Sequence, residues 1–394
     1  MAQDNPPVEF DIGEQDDFRS EVGSSFASST TTLRDSVMDY RIENGRTYHR
    51  YKDGKYAFPN DDRELDRLDL QHQMWLRILD GRLGIAPPCK KGAQVGRVLD
   101  VGTGTGIWAL DFGDEYPEAE QATEAATIWF GGTDSFSHSV PSNVRFEIDD
   151  VEEDWTWSGP FDYIHSRVMT ASINDWSKYL RQCYDNLVPG GWIELQEFAL
   201  FPTSDDGTLT EDHALLKWCH LLQSASEKLG RPYISPPSIK TLLTEAGFVD
   251  VSLSLFKSPS NSWPKDPKYR ELGIMGHENM LAGIEGFTMA SLTRAFDWTP
   301  AEVNVLLIDV RNDVKDKNIH AYWPWYFIIG RKPEKEPNPA PQVAPSPEGT
   351  TSIPGISPSS VPAPAASASS PVAGQTATET LAEGPAKRPP PTSS

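Results

Sequence analysis

"VLDVGTGTGIW", residues 98–108, sets three glycines at every second position behind a short apolar run and an aspartate. A strand that ends in such a turn and opens a helix makes a cradle of backbone N–H groups. Glycine is needed there wherever φ is positive or a ligand touches the chain. Dinucleotides prefer G-x-G-x-x-G, with the pyrophosphate at the helix N-terminus. Here the glycines are Gly102, Gly104 and Gly106, and Asp100 stands two residues before the first. A carboxylate at that place suits a ligand with a cationic amino group or hydroxyls and repels phosphates.

Outward from this loop the pattern alternates. "GRVLDVG" reads as a short buried strand, and a helix runs from about Thr105 to Tyr116. Candidate strands follow at 144–150, 161–166 and 191–198, the last two separated by a helical stretch with Trp176, Tyr179, Leu180 and Cys183. Such alternation predicts an α/β fold whose mostly parallel sheet is covered on both faces. Upstream, residues 59–84 read as a helix capped by Asn60, with Asp61 and Asp62 at its positive end and Leu65, Leu68, Trp75 and Leu79 on one face. Downstream, one helix stops at Gly230 with Pro232 beyond, and another closes at Gly247 before the strand "VDVSLSLF". Thr299, Pro300 and Glu302 form a capping signature, and "WYFIIGRKP" is a final strand.

The chain has 394 residues, with 35 basic against 57 acidic side chains and a net charge of −22. That field repels phosphate backbones and argues against direct nucleic-acid binding. Cys89, Cys183 and Cys219 lie far apart and match no metal-ligand spacing, so they read as reduced thiols of an intracellular protein, and no metal is expected. The acidic N-terminus is unlike a signal peptide, and no apolar run approaches the ~18 residues of a membrane helix. Residues 1–36 and the Pro/Ala/Ser-rich residues 333–394 hold too few large apolar side chains to fold and are expected to be disordered.

The ligand that the loop and its acid suit is S-adenosyl-L-methionine, with its sulfonium, ammonium, ribose and adenine. At this point the sequence resembles the class I methyltransferases, whose first motif is an acid followed by G-x-G-x-G. The resemblance implies that Asp100, Gly102, Thr103, Gly104 and Gly106 cradle the cofactor. "EIDDVEE" places Asp149, Asp150 and Val151 where that family binds adenine. "NLVPGGWIEL" is similar to its turn and fifth strand, and "LLTEAGFVDVSL" to its helix and sixth strand, so the likeness spans residues 97–256. The second strand departs from the pattern. Its terminal acid, which grips the ribose, is expected about 20 residues past the glycines. "GTD" at 132–134 looks like that strand end, yet Asp134 lies 28 residues past Gly106, and Glu124 is the alternative by spacing.

Outside the core the resemblance narrows. "YRIENGRTYHRYKDGKYAFPNDDRELDRLDLQH" (40–72), "FDYIHSRVMTASINDW" and "IHAYWPWYFIIGRKP" look like the fungal methyltransferases of the LaeA type, over roughly residues 36–332. This implies a Rossmann-like class I methyltransferase fold: a seven-stranded mostly parallel sheet flanked by helices. A helical cap over 37–90 and a helical insertion over 257–319 complete it. It also implies regulation of development and secondary metabolism from the cytoplasm or nucleus, with velvet-type regulators or another methyltransferase as partners. Other members resemble O- or N-methyltransferases that tailor small metabolites, and a weakly active interaction subunit is a third alternative.

Methyl transfer is an in-line displacement at carbon, and alignment supplies much of its rate. A base is needed only where the acceptor loses a proton. His165, at the end of the fourth core strand, is the candidate catalytic base. Tyr48 and His49 are candidates to cover the site, and Trp323, Trp325 and Tyr326 to line its acceptor side or to fill the core.

Overall fold

The computed structural model describes residues 40–49, 57–119, 123–127 and 140–334. The two expected tails, apart from Pro333 and Glu334, lie outside these residues, as does Asp134. Seven strands form one sheet: β3 (Val98–Val101), β4 (Thr123–Thr127), β5 (Val144–Ile148), β6 (Phe161–Arg167), β7 (Leu187–Phe198), β8 (Val249–Pro259) and β9 (Tyr322–Arg331). Their order is β5-β4-β3-β6-β7-β9-β8. Strands β5 to β7 in that order pair in parallel, and β9 runs antiparallel to both β7 and β8. This is the seven-stranded, mostly parallel sheet that the resemblance implies. β3 is buried at every position because helices cover both its faces, which is why it reads as a continuous apolar run broken only by Asp100.

β4 is the strand with the weakest sequence signal. The second core strand lies at Thr123–Thr127 and pairs Thr123 with Val98 and Glu124 with Leu99. The "GTD" at 132–134, expected at the strand's end, lies outside the described residues. Glu124 sits near the start of the strand, away from the carboxyl edge where a ribose-gripping acid belongs. The alanine-rich stretch 123–127 carries little of the apolar signal that marks a buried strand.

Alternation along β9 divides the core. Trp323, Trp325 and Phe327 pack with α1 (Asp62–Ile78), α4 (Ala214–Lys228), α6 (Pro267–Phe296) and α7 (Pro300–Lys315). Ile328 and the half-buried Tyr326 face the opposite layer, built on α3 (Trp176–Asp185) and α5 (Pro236–Glu245). Two-residue periodicity makes both faces of one strand hydrophobic, and fully burying each such side chain contributes about 1.5–3 kcal/mol. The remaining helix, α2 (Ile107–Glu115), leaves the glycine loop and packs Trp108, Ala109 and Phe112 beneath β3. α6 and α7 fall within residues 257–319, the stretch expected as a helical insertion, and the Thr299–Glu302 capping box is present in full.

The N-terminal cap differs in detail. It opens with a hairpin, β1 (Tyr40–Glu43) and β2 (Arg46–His49), joined at Asn44-Gly45 with φ of 51° and 79°. Both central residues lie in the left-handed region, as the hairpin turns that match strand twist require. α1 is capped by Asp61, whose carboxylate accepts from Glu64 N–H at 3.1 Å and is held by Arg46. Asn60, the expected cap, instead donates its N–H to Thr47 O at 2.8 Å. The hairpin thus sets where the helix begins.

Candidate active site

All three loop glycines have positive φ: 74° at Gly102, 59° at Gly104 and 79° at Gly106. A Cβ at Gly102 would lie 2.5 Å from Met169 Sδ, whereas at Gly104 it would meet only Leu68 Cδ1, at 3.6 Å. Space therefore opens above Gly104. It leads into a cavity of about 150 Å³ at the carboxyl end of β3 and β6, walled on one side by α1. Asp100, Gly102, Thr103, Gly104 and His165 all line it. Gly106 instead ends the loop as the left-handed cap of α2.

Asp100 and His165 are cross-strand neighbours, 2% and 1% exposed. His165 Nδ1 lies 2.7 Å from Asp100 Oδ1. A carboxylate only accepts, so Nδ1 carries a proton, and in the neutral ring the lone pair is on Nε2. The imidazole stacks on Trp108 at 3.8 Å with a 6° tilt, and Trp108 is pinned through Nε1–H to Leu83 O. Asp100 Oδ2, Thr103 Oγ1 and His165 Nε2 are buried without a hydrogen-bond partner, as is Arg167 Nη2. Orphaned polar atoms of this kind are costly. Four of them around one cavity call for a polar ligand, and a nucleoside with an amino-acid end has the donors and acceptors to satisfy them.

Not every expected residue reaches the cavity. Asp149 Oδ1 accepts from Asp150 N–H at 2.7 Å, and Asp150 Oδ1 from Glu152 N–H at 3.1 Å. Val151 is buried in the core, and its carbonyl accepts from Trp155 Nε1–H and Gln182 Nε2–H. These three hold their own turn after β5 and do not line the cavity. Tyr48 does not cover it either. The side chain is 1% exposed, with Arg294 stacked 5.1 Å from its ring, and it fastens the hairpin to α6. Burial pushes its hydroxyl up to about 12. The side chain of His49 lies outside the described residues. Trp323 and Trp325 line the cavity, and Tyr326 does not.

Sequence reasoning missed the polar face of α1. Glu64, Arg67, Gln71 and His72 are all buried and all line the cavity. Arg67 bonds both Glu64 oxygens and Asn279 Oδ1 of α6. Asp69 accepts from Thr105 Oγ1–H of the glycine loop at 2.7 Å. Their spacing follows a helical period, and the signal was there, carried by polar instead of apolar residues.

Three polar residues of β7 support the site from behind, each 0% exposed: Glu194, Gln196 and Glu197. Glu197 accepts from Met169 N–H at 2.8 Å and Thr170 N–H at 3.1 Å, shaping the loop after β6. Burial raises its pKa from 4.5 to about 8, against those two bonds. The folded state therefore holds this proton more tightly than the unfolded chain. Its contribution to stability is largest below 4.5 and falls as pH rises through 8. Urea midpoints taken between pH 5 and 8 should show this decline, and Glu197→Gln should flatten it. A wild-type slope kept intact in that variant would contradict the assignment.

Comparison with known proteins fits this geometry. Residues 70–253 match a family described as "Methyltransferase domain". "Methyltransferase pytC" of Aspergillus terreus is 44% identical over 311 residues, covering 78% of this chain and 92% of that protein. "Secondary metabolism regulator LAE1" of Cochliobolus heterostrophus is 35% identical over 298 residues, covering 75% and 95%. The chain belongs to the LaeA-like methyltransferase family. "Secondary metabolism regulator laeA" of Aspergillus fumigatus is 32% identical over 320 residues, covering 79% of this chain and 82% of that one. This LaeA-like methyltransferase has the class I fold and uses S-adenosyl-L-methionine as methyl donor. Its three cysteines are free and buried, and among the described residues no helix is long and apolar enough to cross a membrane.

Proposed function

We propose that this methyltransferase acts in secondary metabolism as a regulator, with His165 as the base that deprotonates a hydroxyl or amine acceptor. The regulatory reading is supported by likeness to proteins named as secondary metabolism regulators at 35% and 32% identity. Development as a second output, velvet-type regulators or another methyltransferase as partners, and a cytoplasmic or nuclear site of action belong to the same reading. The chemical reading rests above all on the Asp100–His165 pair, which leaves a buried, unpartnered Nε2 beside the glycine loop. Asp100, Gly102, Thr103 and Gly104 hold the methionine end of the cofactor. Gly106 sets the turn, the turn of Asp149, Asp150 and Val151 takes the adenine from outside the cavity, and Asp134, which lies outside the described residues, is the ribose-gripping acid of this reading.

S-Adenosylmethionine supplies an electrophilic methyl group. A water-poor chamber lined by these residues would not oppose transfer from such a cationic donor, whose charge would be neutralised on the way. His165 Nε2 receives the acceptor's proton, and Asp100 steadies the imidazolium that results. His165→Gln is expected to lower methyl transfer about 10²–10⁴-fold, while S-adenosylhomocysteine affinity stays within about threefold, a shift below 1 kcal/mol. Equal loss of both would make the histidine a packing residue.

A second reading, a tailoring enzyme for small metabolites, is favoured by the apolar part of the cavity lining. Trp218, Leu222, Tyr233, Trp323 and Trp325 form this apolar and aromatic wall. Methyl-labelled cofactor incubated with the protein and a fungal extract separates the two. Label in precipitated protein supports the regulator, and label in the organic extract supports the tailoring enzyme.

A further inference from the structure

Arg167 closes β6, two residues beyond His165 and on the same side of the strand. Its Nε–H donates to Gln196 Oε1 at 3.0 Å and its Nη1–H to His72 Nδ1 at 3.0 Å. A guanidinium only donates, so His72 Nδ1 accepts. His72 Nε2 then carries the ring proton and donates to Asp111 Oδ2 at 2.8 Å. One line of bonds, Asp111–His72–Arg167, therefore joins α2, α1 and β6. Burial holds His72 below the usual histidine range, with Arg167 adding to the effect against Asp111, so the ring is neutral as this line requires.

Neither of the two groups that accept from this guanidinium is a carboxylate. Gln196 is uncharged and His72 is neutral, while Nη2 is buried with no partner. Burial pulls the Arg167 pKa down to about 10, against the pull of Asp100 and Glu194, so the group stays charged near neutral pH. The guanidinium carbon sits over the Trp75 ring, 5.0 Å from its centroid, and the ring limits its swing. A buried cation with an open N–H fork is costly unless a ligand completes it. Asp100 presents the mirror image: one oxygen on His165 and one with no partner. Both side chains line the same cavity beside the glycine loop.

An open carboxylate oxygen and an open guanidinium nitrogen facing one space complement an α-amino-acid zwitterion. We propose that Arg167, oriented by His72 and Asp111, binds the α-carboxylate of the cofactor's amino-acid end while Asp100 Oδ2 takes its ammonium. This rests on the glycine-loop crevice being the cofactor site. An amino-acid acceptor has the same chemistry. The cofactor is favoured because Asp100 belongs to the glycine-loop strand and its partner His165 stacks on the first turn of α2. Bonds on Nε and Nη1 fix the plane of the fork, so its open Nη2 end presents N–H donors in a set direction, which a flexible lysine ammonium cannot reproduce.

The test titrates the full chain with S-adenosylhomocysteine and with 5′-methylthioadenosine, which lacks the amino-acid end. Wild type should prefer the former by at least tenfold. Arg167→Gln should abolish that preference and leave 5′-methylthioadenosine affinity within twofold, and Arg167→Lys should restore part of it. His72→Phe, acting through positioning, should lose at least threefold of the preference with the second probe unchanged. A preference that survives Arg167→Gln overturns the proposal and points to an amino-acid acceptor. A parallel fall for both probes overturns it in favour of a structural role. If Arg167→Gln does not fold, Arg167→Lys decides: full preference there overturns the fork. Wild type binding neither nucleoside would overturn the cofactor crevice itself, and the anchor with it.

Discussion

Gly104→Trp should weaken S-adenosylhomocysteine binding at least 100-fold, a loss of about 2.7 kcal/mol or more. The residue sits at φ +59°, and its missing side chain faces the space below Leu68. A methyl group there would find ordinary contact, and the backbone alone would cost about 1–2 kcal/mol. An indole must fill the opening through which the loop meets its ligand. Calorimetric titration checks the affinity, and a thermal melt taken beside it separates lost binding from lost fold. Wild-type affinity in a folded Gly104→Trp protein would place the cofactor elsewhere.

Glu194→Ala should destabilise the fold by about 3–5 kcal/mol, because several buried donors lose their acceptor at about 1–3 kcal/mol each. The Glu194 carboxylate, opposite His165 in the sheet, takes the backbone N–H groups of Ile85 and Ala86 and the hydroxyl of Tyr163. Gln196 Nε2–H adds a fourth donor at 2.8 Å. Burial, then nearby Cys89 and Glu194 itself, pushes the Tyr163 hydroxyl well above the usual phenol range, so it remains a donor. Removing the acid strands these donors where water does not reach, and frees the segment after α1 from the sheet. Denaturant unfolding measures the loss. A change under about 1 kcal/mol would show that the donors find other partners, since such groups cost about 1–3 kcal/mol when left unsatisfied.

The glycine loop is legible because it combines two rare demands in nine residues: positive φ at alternate positions and a carboxylate inside a buried strand. Elements with a strong apolar period, such as β6 and the Thr299-capped helix, are equally plain. β4 is not, because Thr123–Thr127 owes its place to neighbours on both sides and carries almost no apolar signal of its own. The α1 cap moves from Asn60 to Asp61 because Arg46, distant in sequence, fixes the aspartate. The inward face of α1 stays hidden for a similar reason. Glu64 and Arg67 look like a solvated surface pair until Asn279 and the cavity are brought against them. His165 can be singled out by position alone, whereas its bond to Asp100 appears only once β3 and β6 are in register.

The antiparallel strand β9 fills the gap between β7 and β8, so the edges of both wait on the last thirteen described residues. During synthesis, two of the sheet's six strand pairings therefore cannot form until nearly all of this body has left the ribosome. Pairing of such distant segments is slow to form and exposes apolar strands meanwhile. A nascent chain stopped before Tyr322 would present two naked β-edges and a tryptophan-lined hollow with nothing to seal it.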